Sequence, residues 1–285
     1  MNADRRIKAS GLGLAQERDS RSGEAMGNMK KYLMVTPYYK EPEQILARCI
    51  ESVSRQTVAC DHILVADGHA ADFIESYGVR HIKIDRSQAN YGNTPRAIGC
   101  LIGISEEYDG IGLLDADNWL EPHHVESCLA AAVARCGDAS LCDFVIAKRY
   151  FRRADGTVMF LTEDLTFIDT NCYFFLPGSY SALPSWGLMP RSISAIGDHI
   201  FTRVMQGKSF IAAMTPTPTV NYHNLWAESY RVLNEPVPEG AKPTVDMSKT
   251  FEVLKRKTER EAEIFNRLCG FKLLPLRTEA ASSNS

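Results

Sequence analysis

Between residues 31 and 135 the apolar positions switch between two periods. Residues 31–36, apolar from Tyr32 to Val35, read as a strand stopped by Pro37. Over 43–56, Ile45, Leu46, Cys49, Ile50 and Val53 recur at helical spacing and make one amphipathic stripe. His62 to Asp67 is a second strand run closed by Gly68, with a short helix over 70–77 and a third strand over 79–84. Residues 93–105 read as helix, 110–115 as a fourth strand, and 122–135 as a helix with Pro122 near its first turn. Strands alternating with helices of this length predict a mostly parallel sheet covered on both faces, an α/β fold.

After residue 143 the pattern changes. Apolar runs over 144–150 and 158–162 flank Asp155-Gly156, a hairpin signal, and FIDTNCYFFL (167–176) is strongly β-prone. PGSYSALPSWGLMP (177–190) reads as a mobile loop. Residues 198–206 follow as a helix closed by Gly207, then a late strand over 209–214. A Pro-rich link, EPVPEGAKP, leads to a charged amphipathic helix over 247–268. The organisation expected is a disordered leader (1–28), one α/β domain (29–225), a C-terminal extension ending in a helix (226–275) and a disordered tail (276–285).

Composition narrows the partners. With 45% hydrophobic and 24% charged residues over 285 positions, the chain can bury a sizeable core. A net charge of −3 gives no reason to expect nucleic acid. No apolar segment approaches the length of a membrane span, although the basic cluster Lys255-Arg256-Lys257 leaves peripheral membrane contact open. The eight cysteines include no C-x-x-C pair, so reduced thiols in a cytoplasmic protein are expected.

The candidate chemistry lies in GIGLLDADNWLEP (110–122), where an apolar run ends on Asp115 and Asp117. At an extended strand end, residues i and i+2 share a face, so both carboxylates would address one point. Two adjacent acids ask for a compensating cation, and hard carboxylate oxygens suit Mg²⁺ or Mn²⁺ bridging to phosphate. A solvated loop that caps the next helix is the bland alternative.

Five segments, in order, carry a resemblance: TPYYKEPEQILARCIESVSRQT, ILVADG, NYGNTPRAIG, LLDADNWLEPHHVE and GDHIFTRVMQGKSF. From residue 31 to 223 the chain resembles family 2 glycosyltransferases of the GT-A type. The resemblance implies a mixed sheet flanked by helices, with a C-terminal helical extension. It also implies transfer of a sugar from a nucleotide-sugar donor to a glycan or other hydroxyl acceptor, with inversion. The turn at Thr36, Pro37 and Tyr38 would lie beside the nucleotide, with Asp67 near the base or ribose. Asp115 would contact the ribose or a metal-bound water, and Asp117, with His223, would hold Mn²⁺ or Mg²⁺. Asp198 would be the catalytic base, and Arg96 would either bind phosphate or brace Asp67 or Asp115. Three positions depart from the pattern: Ala66 for the first acid of D-D-G-S, Gly197 for the Glu of E-D, and Ala97 for Asn.

Other expectations rest on single residues. Asp198 opens a helix, so the bland alternative to a catalytic base is an N-cap, and the helix dipole would hold its pKa down. Trp186 is a candidate for stacking on an acceptor sugar, Tyr173 for core packing, and Trp119 for packing beneath the acidic loop. His123 and His124 are expected at the surface. Three rivals remain. A nucleotidyltransferase would want a Gly-rich basic loop after the first strand. An aspartyl phosphatase would place its acids after the first strand rather than the fourth. A binding module would be a relative that had lost its base.

Overall fold

The computed structural model describes residues 29–162, 168–243 and 266–268. Strand β1 (Tyr32–Tyr38) is buried along its whole length, as a continuous apolar run in a parallel sheet must be. Pro37 does not stop it. Val35 turns its carbonyl toward the fourth strand, so Pro37 faces the same side two residues on, where that strand has already ended. The missing N–H costs no ladder bond there. Helix α1 (Glu43–Ser54) buries Leu46, Cys49, Ile50 and Val53, and β2 (Asp61–Asp67) pairs parallel with β1.

A 3-10 turn over Asp72–Tyr77 leads to β3 (Arg80–Ile84), then α2 (Asn93–Ser105) and β4 (Gly110–Leu113). Helix α2 lies close on the sheet because of its glycines: a Cβ on Gly99 would stand 2.3 Å from Val35 Cγ1. Short strand β5 (Trp119–Leu120) precedes α3 (His124–Cys136).

The second half builds β6 (Phe144–Arg152), β7 (Val158–Met159), β8 (Tyr173–Phe175) and β9 (Ala212–His223), joined in one sheet of order β3-β2-β1-β4-β8-β6-β9-β5, with β7 on β6. The mostly parallel expectation therefore holds for β1 to β4 and for the β6–β9 pair, but not for the sheet as a whole. Strand β8 runs antiparallel to both β4 and β6, and β5 antiparallel to β9. Among the described residues of the β-prone 167–176 segment only Tyr173–Phe175 is strand, because Thr170–Cys172 is a 3-10 turn. Strand β9 outruns its expected end: Pro218 stands in register with Lys148, and the register shifts on either side of Lys148 leave Pro216 unpaired.

Leu33 and Val35 face one core with α2, α4 (Ser185–Leu188) and α5 (Gly197–Gln206); Met34 faces the other with α1 and α3. The segment 177–190 is not an open loop but 3-10 and α-turns packed into the first core. Trp186 is 0% exposed and stacks on Phe201 at 4.4 Å, so it is closed to an acceptor. His124 is also buried, against expectation. Its Nδ1 lies 2.9 Å from Thr219 Oγ1, and burial lowers its pKa to about 3. Tyr173 packs in the core as expected.

Helix α6 (Ala227–Val232) follows β9, and the chain then returns so that Lys242 bonds back to Leu225 and Ala227. Of the helix expected over 247–268, only 266–268 are described, and they are helical. The leader up to 28 and the tail lie outside the described residues. No described helix is long and apolar enough to cross a membrane.

Candidate active site

In the order β3-β2-β1-β4 the chain reverses its direction of travel at β1, opening a crevice at the carboxyl ends of β1 and β4. The last rung is Leu114 N–H to the Val35 carbonyl, 3.1 Å. Beyond it Asn118 N–H donates to the Asp115 carbonyl (3.0 Å), so Asp115 and Asp117 stand on a turn rather than on an extended strand. The shared face expected of them is lost, and each acid meets its own set of partners.

Asp115 points into the protein. Arg96 Nη2 donates to its Oδ1 and Asn171 Nδ2 to its Oδ2 at 3.0 Å, while Asn171 Oδ1 accepts its backbone N–H. Arg96 therefore braces Asp115, not Asp67, and Nη1 also bonds the Tyr91 carbonyl and Asn93 Oδ1. Asn171 reaches on to Asp169 Oδ1 (2.7 Å), and Asp169 pairs with buried Arg149 at 2.8 Å.

Asp117 meets the rim. Lys242 Nζ lies 3.1 Å from its Oδ2, and Arg48 Nη2 donates to its carbonyl at 3.0 Å. Arg48 sits 3.9 Å from the Trp119 ring centre, so Trp119 packs under the loop as expected. Buried Asn118 accepts the His223 N–H at 2.7 Å, tying β9 to the acidic turn. Both ring nitrogens of His223 are buried without a hydrogen-bond partner. Burial lowers the pKa of His223, Arg48 adds to the fall, and Asp117 opposes it. The neutral imidazole is the form that binds a metal. Among the described residues no group of three or more acids, histidines or cysteines closes on one point. Asp117 and His223 are an oxygen and a nitrogen donor of the kinds a divalent ion takes, and a ligand would have to supply the rest of its shell.

Asp198 lies in the first turn of α5, behind Ile196 at the N-cap, so it is not the cap. Its Oδ1 accepts the His199 N–H at 2.8 Å. Its pKa is raised, not lowered: burial outweighs His199, and Asp169 adds to the rise.

Residues 34–178 match the family model for glycosyl transferase family 2. The chain belongs to glycosyl transferase family 2. It is a glycosyltransferase, and its mixed, helix-flanked sheet is of the GT-A type. Crystal structures of S. aureus TarS share the fold. The 1–349 fragment in complex with UDP is 14% identical, with a TM-score of 0.53 over 85% of this chain and 72% of that one. The same fragment with UDP-GlcNAc is 12% identical, with a TM-score of 0.51 over 85% and 73%. TarS itself is 13% identical, with a TM-score of 0.52 over 85% and 44%. No curated protein sequence matches the chain.

In this glycosyltransferase several expected contacts are already engaged within the chain. Thr36 turns its hydroxyl to His62 Nε2 (2.8 Å), and the Tyr38 hydroxyl meets His81 Nε2 (2.7 Å). Asp67 accepts the Gln88 N–H at 2.6 Å and the Ser87 hydroxyl at 3.2 Å, holding the loop before α2. Pro37 packs beside Gly92, whose φ of +78° needs a glycine. Sequence reasoning missed Arg48, Asn118, Asp169, Asn171 and Lys242. Asn118 stood inside the quoted acidic segment, and Asp169 and Asn171 were the polar residues of an otherwise apolar strand candidate. Lys242 had no local signal.

Proposed function

We propose that this glycosyltransferase moves a sugar from a nucleoside-diphosphate donor to an acceptor hydroxyl, with inversion at the anomeric carbon and with Mn²⁺ or Mg²⁺. The observation that carries this reading is the unbonded, buried imidazole of His223 beside Asp117 at the mouth of the crevice. A divalent ion held there would neutralise the charge that develops on the departing diphosphate.

The remaining work falls to the chain's own residues. Arg96 and Asn171 fix Asp115, leaving its outer lone pairs for a ribose hydroxyl. Asp198, its pKa raised toward the working range, takes the acceptor hydroxyl's proton as that oxygen attacks the anomeric carbon. Attack on the side away from the diphosphate inverts the centre. UDP and UDP-GlcNAc occupy TarS crystals, which makes uridine nucleotides the first donors to try. Buried thiols at Cys49, Cys100 and Cys128 without disulfide partners support a cytoplasmic site of action.

The test is a panel of UDP-, GDP-, CMP- and dTDP-sugars with and without Mn²⁺, following hydrolysis and transfer by NMR. An α-linked donor should give a β-linked product. Retention of configuration would remove Asp198 as the base, and neither binding nor turnover of any donor would overturn the reading.

A further inference from the structure

The acid at the rim already carries a cation, and it arrives from 125 positions further along the chain. Lys242 is held by its backbone. Its N–H donates to the Leu225 carbonyl (2.7 Å), and its own carbonyl accepts the Ala227 N–H (3.0 Å) in a bridge beside Trp226. The strap over 224–243 is tied down twice more. Arg153 pairs with Glu235, and the Tyr230 hydroxyl donates to the Asn224 carbonyl (3.1 Å) and accepts the Ala154 N–H (3.0 Å).

An ammonium at this distance uses the carboxylate lone pairs that a metal would need, and two cations on one oxygen repel strongly. Arg48, also cationic, bonds the backbone carbonyl of the same residue, so the turn has no shortage of positive charge. The pair itself is open, with side chains 47% and 29% exposed, so the ammonium can be exchanged at small cost. Its three N–H donors would find oxygens of matching charge on a diphosphate.

We propose that Lys242 is a functional residue of the donor site: the resident counter-ion that a divalent metal displaces from Asp117, and that then binds the diphosphate. Metal uptake is thereby tied to donor binding, because the donor gives the displaced ammonium a new partner. The inference rests on Asp117 as the acid that meets the metal.

Titration of the full chain with Mn²⁺ alone, read by the EPR signal of the free ion, tests the first half. Lys242→Met keeps the aliphatic stem beside Trp226 and should bind Mn²⁺ roughly three- to tenfold more tightly than the wild type. Calorimetry with UDP at saturating Mn²⁺ tests the second half. There Lys242→Met should bind UDP about tenfold more weakly, while Lys242→Arg stays near wild type. Unchanged Mn²⁺ affinity in Lys242→Met overturns the proposal, and so does unchanged UDP affinity. Asp117→Ala separates the two readings. If it binds Mn²⁺ as the wild type does, the metal assignment fails whatever Lys242 does; if it loses Mn²⁺, the comparison of Lys242 variants stands on its own.

Discussion

Asp115 and Asp117 stand two residues apart with side chains equally open, 28% and 29% exposed, yet one belongs to the floor of the crevice and the other to its rim. The cations they meet make the difference. Arg96 is 8% exposed and held by two further hydrogen bonds, to the Tyr91 carbonyl and Asn93 Oδ1, while Asn171 holds Asp115 itself; Lys242 is 47% exposed on a strap. A carboxylate tied to a buried guanidinium is part of the fold. One tied to an open ammonium can change partners. Two acids that look equivalent in sequence are therefore held differently, and the ion exchange proposed for Asp117 has no counterpart at Asp115.

The largest effect should come from removing the rim acid. Asp117→Ala is expected to lower transfer by a thousandfold or more, about 4 kcal/mol of barrier, while the Tm of the free protein stays close to wild type. Transfer assays and thermal melts on one preparation check both halves. A large fall in Tm would return Asp117 to the floor and erase the distinction.

The floor should respond the other way. Arg96→Met leaves Asp115 without its cation, and breaking such a pair costs about 3 kcal/mol, the lower end of the usual range because Asp115 keeps some solvent. Urea unfolding at neutral pH measures it. Asn171→Ala is milder, about 1–3 kcal/mol, since it strands the Asp115 backbone N–H and one carboxylate oxygen. Losing activity without losing stability in either variant would move Arg96 or Asn171 to the rim.

The floor and the rim were unequally legible. The parallel half could be read from periodicity because each element buries its own stripe: α2 runs Asn93–Ser105 as the pattern predicts, and Gly99 is required by the approach to Val35. The partners of Asp115 could not be inferred from sequence, since its hydrogen bond from Asn171 spans 56 positions. Trp186 misled because Pro, Gly and Ser around it report local turns, not the tertiary packing that closes over it. Lys242 was hidden for the same reason in stronger form. Nothing in EPVPEGAKP marks one lysine as aimed at an acid from another part of the fold.

Asp198 gives the smallest and most discriminating prediction, because burial sets its role and its cost together. Its folded-state pKa lies above the ordinary carboxylate value of 3.8, so the folded protein holds that proton more tightly than the unfolded chain does. Stability from this group is therefore complete below the unfolded pKa and is lost as pH rises through the folded one. At pH 7–8 the ionised, buried Asp198 is a net cost. Asp198→Asn removes the charge and should raise Tm modestly there, with the gain vanishing as the pH is lowered to about 3, while transfer is lost at every pH. In the wild type, the same raised pKa should appear as the acidic limb of kcat/KM, at a pH above that of an exposed aspartate. A melt series from pH 3 to 8 on both proteins decides it. If Asp198→Asn is less stable than the wild type at pH 8, Asp198 is a stabilising acid like Asp115, and the base must be sought elsewhere in the crevice.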